Sequence, residues 1–205
     1  MAGFVPNCAE TVISMLAVSS LGGVWTSCSP DFGANGVVDR FGQVNPHILI
    51  TSNGYSYNGK LFKLEEKVNG VLESIDSIRH IVEIEYVDIK SNFNHDSIIS
   101  FGDILNDEQT QPTFEQLPFD HPLFIMYSSG TTGPPKSIVH SAGGTLIQHM
   151  KEHQLHCDVK AGKSTMFWFT TCGWMMWNWL VSGLSSGSTI VLYDGSPSYP
   201  CLLYT

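Results

Sequence analysis

Residues Leu123 to Lys136 read LFIMYSSGTTGPPK: four apolar residues, a tyrosine, six small or hydroxylic residues, two prolines and a lysine. The compact apolar run predicts a buried strand over Leu123–Met126, and residues 128–136 form the loop that leaves its end. Ligands of α/β sheets bind at that place, outside the carboxyl ends of the strands. Gly130 and Gly133 permit a close approach of backbone N–H groups to an anion. Ser128, Ser129, Thr131 and Thr132 add hydroxyl donors, and Lys136 adds a mobile positive charge. Each residue type suits a polyphosphate. The same residues also dominate ordinary surface turns, and composition alone does not separate the two readings. A Walker A loop is excluded, because Pro135 precedes Lys136 and no Gly-Lys-Ser/Thr follows.

Working outward, helices and buried strands alternate. Asn7-Cys8-Ala9-Glu10 after Pro6 has capping-box spacing and opens a helix ending near Gly22-Gly23. Val24–Thr26, His47–Thr51 and Ile81–Ile84 suit strands, and Leu61, Leu64, Val68, Val71, Leu72 and Ile75 keep helical spacing between the last two. Residues 88–121 are polar, acidic and aperiodic and are expected to connect two parts. Beyond the loop, Ala142 to about Leu155 reads as a helix, and Met166–Phe169 and Thr189–Tyr193 as strands. The expected fold is therefore α/β with mostly parallel sheets flanked by helices. Four segments result: a first α/β segment 1–87, the connection 88–121, an α/β segment 122–197 with the loop, and a tail 198–205.

Composition narrows the function classes. The 205 residues carry 10 Lys+Arg against 19 Asp+Glu, a net charge of -9 that supplies no basic face for nucleic acid. Cys8, Cys28, Cys157, Cys172 and Cys201 form no CxxC pair, which fits a reducing compartment. The segment from Ser164 to Tyr193 has no charged residue and is long enough to cross a bilayer. Gly173, Asn178, Gly183, Ser185, Ser186 and Gly187 divide it into strand, helix and strand, so no membrane span is expected. Asp31-Phe32-Gly33 repeats the letters of a kinase metal motif, but no His-Arg-Asp accompanies it and it is set aside as a chance match.

The stretch YSSGTTGPPKSIVHS, residues 127–141, resembles the signature phosphate loop of the adenylate-forming superfamily of acyl-CoA synthetases, luciferases and peptide-synthetase adenylation domains. SPDFGANGVVDRF, VHSAGGTLIQHMKEH and GWMMWNWLVSGL look like its acetoacetate–CoA ligase branch. The resemblance runs to Pro197. It implies part of a large N-terminal domain, a cytosolic ligase acting on acetoacetate with ATP carrying Mg2+ and with CoA, and phosphate contacts from Ser128, Ser129, Gly130, Thr131, Thr132, Gly133 and Lys136. Ser137 stands where many members carry glycine.

TTCGWMMWNW, residues 170–179, resembles the aromatic motif bordering the acyl pocket of such ligases, and the resemblance implies Trp174, Met175 and Met176 as pocket walls. Taken by themselves these side chains read first as core packing, the role expected for Trp177 and Trp179. His149 and His153 have zinc-compatible spacing, but no third ligand is indicated, and no metal is expected beyond magnesium carried with ATP. The family's later motifs for adenine, ribose and the mobile C-terminal domain have no counterpart, so the resemblance implies a partial enzyme, inactive alone. A non-catalytic nucleotide-binding or regulatory module in contact with a full-length enzyme is the alternative.

Overall fold

The computed structural model describes residues 1–105, 111–128 and 133–200. The chain opens with β1 (Ala2–Phe4), α1 (Ala9–Ser20), β2 (Trp25–Cys28), α2 (Ala34–Phe41) and β3 (Ile48–Ser52). β1 is only three residues long, too short to carry a periodicity, and α2 gives a weak signal because only Val37 and Phe41, four residues apart, turn inward. The expected capping box at Asn7 does not form. Cys8 holds the N-cap position without a side-chain cap. Asn7 is taken by the far end of the chain instead: its Nδ2 donates to the Tyr193 carbonyl at 3.1 Å and its Oδ1 accepts from Trp177 Nε1 at 2.9 Å.

The helix expected from Leu61 begins later. β4 (Gly54–Tyr57) and β5 (Lys60–Lys63) form an antiparallel hairpin, and α3 (Glu65–Ser74) follows. Asn58 and Gly59 have φ of 50° and 70°, the paired positive values that a two-residue hairpin turn requires and that Asn-Gly supplies. This turn signal outweighs the helical spacing of Leu61. β6 (His80–Ile84) pairs in parallel with β3. The connection 88–121 contains β7 (Ile98–Ser100) and one turn of helix, α4 (Phe101–Ile104), where no element was expected.

β8 (Pro122–Ser128) then inserts beside β2, and β9 (Lys136–Ser141) returns antiparallel to it. The result is a seven-stranded sheet of order β7-β6-β3-β1-β2-β8-β9, parallel except for β9, with strands drawn from both sides of segment 88–121. Its central strands are buried on both faces, which explains their continuous apolar runs. On one face Val37, Phe41, Leu64, Val68 and Val71 pack on Phe4, Leu49 and Ile81. On the other, Val12, Met15, Trp177 and Val181 pack on Val5, Trp25, Ile50 and Phe124.

After β9 come α5 (Ala142–Lys151), a π-helical turn over Glu152–His156, β10 (Thr165–Phe167), α6 (Met175–Ser182), a 3-10 turn over Gly183–Ser186 and β11 (Thr189–Val191). β10 and β11 pair in parallel as a separate two-stranded sheet. Both are shorter than the strands expected there. Among the described residues no helix is long and apolar enough to cross a membrane, and α6 has eight residues.

Candidate functional site

The hairpin β8–β9 presents its turn at the carboxyl end of β8, with Ser128 directly opposite Lys136 in the ladder. Ser129, Gly130, Thr131 and Thr132 lie outside the described residues. Gly133 is exposed, and a methyl group placed on it would meet nothing within 4 Å among the described residues. The Lys136 side chain is exposed and donates to no partner among the described residues. The loop is therefore the crossing of an antiparallel hairpin, not the strand-to-helix turn of a P-loop, and its base is held from outside. Gln43, just past α2, donates through Nε2 to the Pro135 carbonyl at 2.8 Å and accepts through Oε1 from Ser137 Oγ at 2.8 Å. On the sheet side, Tyr127 Oη and Thr26 Oγ1 lie 3.0 Å apart. Burial pushes the Tyr127 phenol up to about 12, so it stays a neutral donor. The Arg40 guanidinium stacks between Phe32, 4.7 Å from the ring centroid, and Tyr127, at 5.9 Å.

A cleft of about 420 Å³ opens beyond the carboxyl ends of four strands. Asp31 follows β2, Tyr55 and Phe62 come from the hairpin after β3, Thr171 follows β10 and Asp194 follows β11. Sequence reading missed this site because its residues come from four separate segments, after β2, β3, β10 and β11. Collecting the residues just after each expected strand would have found it. Burial pushes the Asp194 carboxyl above the ordinary carboxylate range, the Asn7 backbone N–H works against that shift, and the Asp31 charge adds to it.

Trp174 is the N-cap of α6 and 61% exposed; Met175 beside it is exposed and Met176 half-buried. These three stand together on the first turn of α6, and they are not among the residues that line the 420 Å³ cleft. Trp177 is fully buried, as expected of a core residue, while Trp179 is half-buried.

His149 and His153 face inward. Ser182 Oγ donates to the Trp179 carbonyl at 2.7 Å and so receives the Nδ1–H of His149 at 2.8 Å. His153 Nε2 lies 3.1 Å from the same carbonyl, to which it donates, and its Nδ1 faces Ser186 Oγ at 3.3 Å. The imidazoles thus fasten α5 to α6 through hydrogen bonds. The thiols of Cys8 and Cys28 are pushed up by burial to about 11 and about 12, which keeps them unreactive.

Residues 2–203 match the family described as AMP-binding enzyme. The chain belongs to that family. Among relatives, an acetoacetyl-CoA synthetase of Rhizobium meliloti is 50% identical over 201 residues, which are 98% of this chain and 31% of that protein. A malonamoyl-CoA synthetase of Penicillium aethiopicum is 44% identical over 97% of this chain and 28% of its own length. The solved acetoacetyl-CoA synthetase of Streptomyces lividans superposes with a TM-score of 0.92 at 46% identity, covering 98% of this chain and 30% of that one. This member of the AMP-binding enzyme family thus spans about 30% of the length of the proteins it matches.

Proposed function

We propose that this chain is part of an acetoacetate–CoA ligase and contributes the polyphosphate cradle and one wall of the acyl site. The observation that carries the reading is the β8–β9 hairpin, whose turn is rich in hydroxyls and glycine, is flanked by the exposed Lys136, and is fixed at its base by Gln43. In the reaction the acetoacetate carboxylate attacks the α-phosphorus of ATP, and the bond to the bridging oxygen breaks. Pyrophosphate leaves with the electron pair. The CoA thiol then attacks the acyl carbon and displaces AMP. The cradle residues Ser128, Ser129, Gly130, Thr131, Thr132, Gly133 and Lys136 hold the β- and γ-phosphates in line and offset the charge that builds on their oxygens. Magnesium enters with ATP; among the described residues no cluster of three His, Cys, Asp or Glu is available to hold it separately.

Among the described residues the lining of the cleft carries Asp31 and Asp194 and no lysine or arginine. That chemistry repels phosphates and suits a neutral, amide-rich chain such as the pantetheine arm of CoA. Trp174, Met175 and Met176 supply a large flat surface and adaptable thioethers for a short acyl chain. The names of the relatives point to acids that share a carbonyl at the third carbon, acetoacetate and malonamate. Acetoacetate is the substrate of this reading, activated in the cytosol as a ketone body for lipid synthesis.

The test is acetoacetate-dependent exchange of labelled pyrophosphate into ATP by a chimera in which residues 1–197 replace the matching part of the Streptomyces lividans enzyme. Exchange with acetoacetate and not with butyrate is expected, and Lys136→Ala should lower it by about 10- to 100-fold, the loss of one charge-assisted contact of about 1.5–3 kcal/mol. A folded chimera without acetoacetate-dependent exchange would overturn the reading. The 205-residue chain alone should release no AMP.

One observation favours the second reading, a non-catalytic module that joins a full-length enzyme: among the described residues β10 and β11 form a parallel sheet of two strands, with Val191 at the end of β11 and Trp168 just after β10 exposed. Parallel sheets are normally covered on both faces and continued at their edges. A shift of the complex in gel filtration with the full-length enzyme is the outcome that reading requires.

A further inference from the structure

Between α6 and the sheet lies a narrow recess of about 10 Å³, bounded by Trp25, Ser27, Phe124, Met126, Gly173 and Asn178 among others. Asn178 is 4% exposed. Its Nδ2 lies 3.7 Å from Met126 Sδ, a weak acceptor, and its Oδ1 has no hydrogen-bond partner among the described residues. A buried amide oxygen left in that state costs the full desolvation of the group, and such groups in folded proteins are nearly always satisfied by protein or by internal water.

We propose that this recess is a hydration site that holds one water, with Asn178 Oδ1 as its anchor. The space is at the lower limit for a single water, which needs two to four polar neighbours. The lining provides them. Ser27 Oγ donates to the Cys172 carbonyl at 2.6 Å and accepts from Trp25 Nε1 at 3.1 Å, which leaves it one lone pair. The water donates one hydrogen to Asn178 Oδ1 and the other to that lone pair, the two polar neighbours that a single water needs. No group is asked for more hydrogen bonds than its chemistry allows. The site therefore joins two elements through one molecule: α6 by Asn178 and β2 by Ser27. Helix α6 is docked on the sheet by this polar link as well as by the apolar packing of Trp177 and Val181.

A crystal structure of the 205-residue chain at about 1.5 Å or better tests this directly. A water at high occupancy within about 3.2 Å of Asn178 Oδ1 is expected; a dry recess overturns the proposal. Asn178→Leu supplies a second measurement with opposite signs for the two cases. With an anchored water, the variant strands the water and should melt about 3–6 °C lower. Without one, replacing an orphaned amide by an apolar group of similar size relieves the desolvation cost, so a variant that melts at or above the parent temperature overturns the proposal. A variant that does not fold counts with the first case only if the parent crystal contains the water.

Discussion

Gln43 and Ser137 are joined side chain to side chain at 2.8 Å, across 94 positions of sequence, at the start of β9 in the β8–β9 hairpin. The same glutamine amide holds the Pro135 carbonyl at 2.8 Å, so both residues flanking Lys136 are tied to the end of α2. Gln43→Ala releases both. These bonds are solvent-exposed, so the stability loss should be about 1 kcal/mol, whereas the loop loses its fixed base. Titration of the chain with magnesium tripolyphosphate should then weaken two- to tenfold, and Ser137→Ala should weaken it less. Equal binding by parent and Gln43→Ala would mean that the clamp does not serve the loop.

Trp174→Gly should hardly change stability. The indole is mostly exposed, and the residue occupies the N-cap of α6, where glycine is well tolerated. A change within about 0.5 kcal/mol in urea denaturation is expected. That result would clear the way for reading any shift of the chimera toward longer acids as a change of pocket. A large loss of stability would return Trp174 to the role of packing residue.

Asn53 satisfies four backbone groups at once. Its Nδ2 donates to the carbonyls of Val87 and Ile89, both at 2.7 Å, and its Oδ1 accepts from the N–H groups of Tyr86 and Val87 at 3.0 and 3.1 Å. The residue is buried at the end of β3 and replaces the regular ladder for the segment that leaves β6. Asn53→Ala should therefore cost about 3 kcal/mol or more, and Asn53→Asp nearly as much because two N–H donors become acceptors. Hydrogen exchange at Tyr86 and Val87 reads the loss locally; protection unchanged there would contradict the assignment.

Acidification should loosen the contact of α5 with α6. The His149 imidazole is pushed down to about 4, chiefly by burial, with His153 adding to the shift and Glu152 opposing it. Its folded pKa lies below the unfolded value of about 6.5, so the unfolded chain binds the proton first and stability falls as pH drops from about 6.5 toward 4. The loss reaches about 3 kcal/mol from His149, and burial of His153 acts in the same direction. Asp194, raised by burial, works the other way at the acid end. Urea midpoints at pH 7.5, 6 and 5 should fall in that order, and His149→Gln should flatten the trend. An unchanged slope in that variant would assign the pH response elsewhere.

The strands of the central sheet were legible because parallel strands buried on both faces must be written as unbroken apolar runs, as in His47–Thr51 and Ile81–Ile84. Short elements were not. Three residues of β1 or β7 are below the length at which any period can be counted. At Asn58-Gly59 a local turn signal was present and was overlooked in favour of spacing. Asn7 had the letters of a cap, but a helix end is decided by whatever partner comes nearest in space, and here those partners lie at Trp177 and Tyr193. The phosphate-loop letters located a turn at the carboxyl end of β8, while the cleft with Asp31 and Asp194 depends on loops that only the fold brings together.

The bonds from Asn7 to Trp177 and Tyr193 join positions 170 and 186 residues apart. A ribosome makes the first residues of this chain long before the last, at roughly 5–20 residues per second. The start of α1 thus emerges with its buried amide side chain unpaired and waits on the order of ten seconds or more for the segment that completes it. The seven-stranded sheet has the same history, since β8 must enter beside β2 after β3, β6 and β7 have been made. Any pause in translation between β7 and β8 extends the time for which the edge of β2 stays open to other chains.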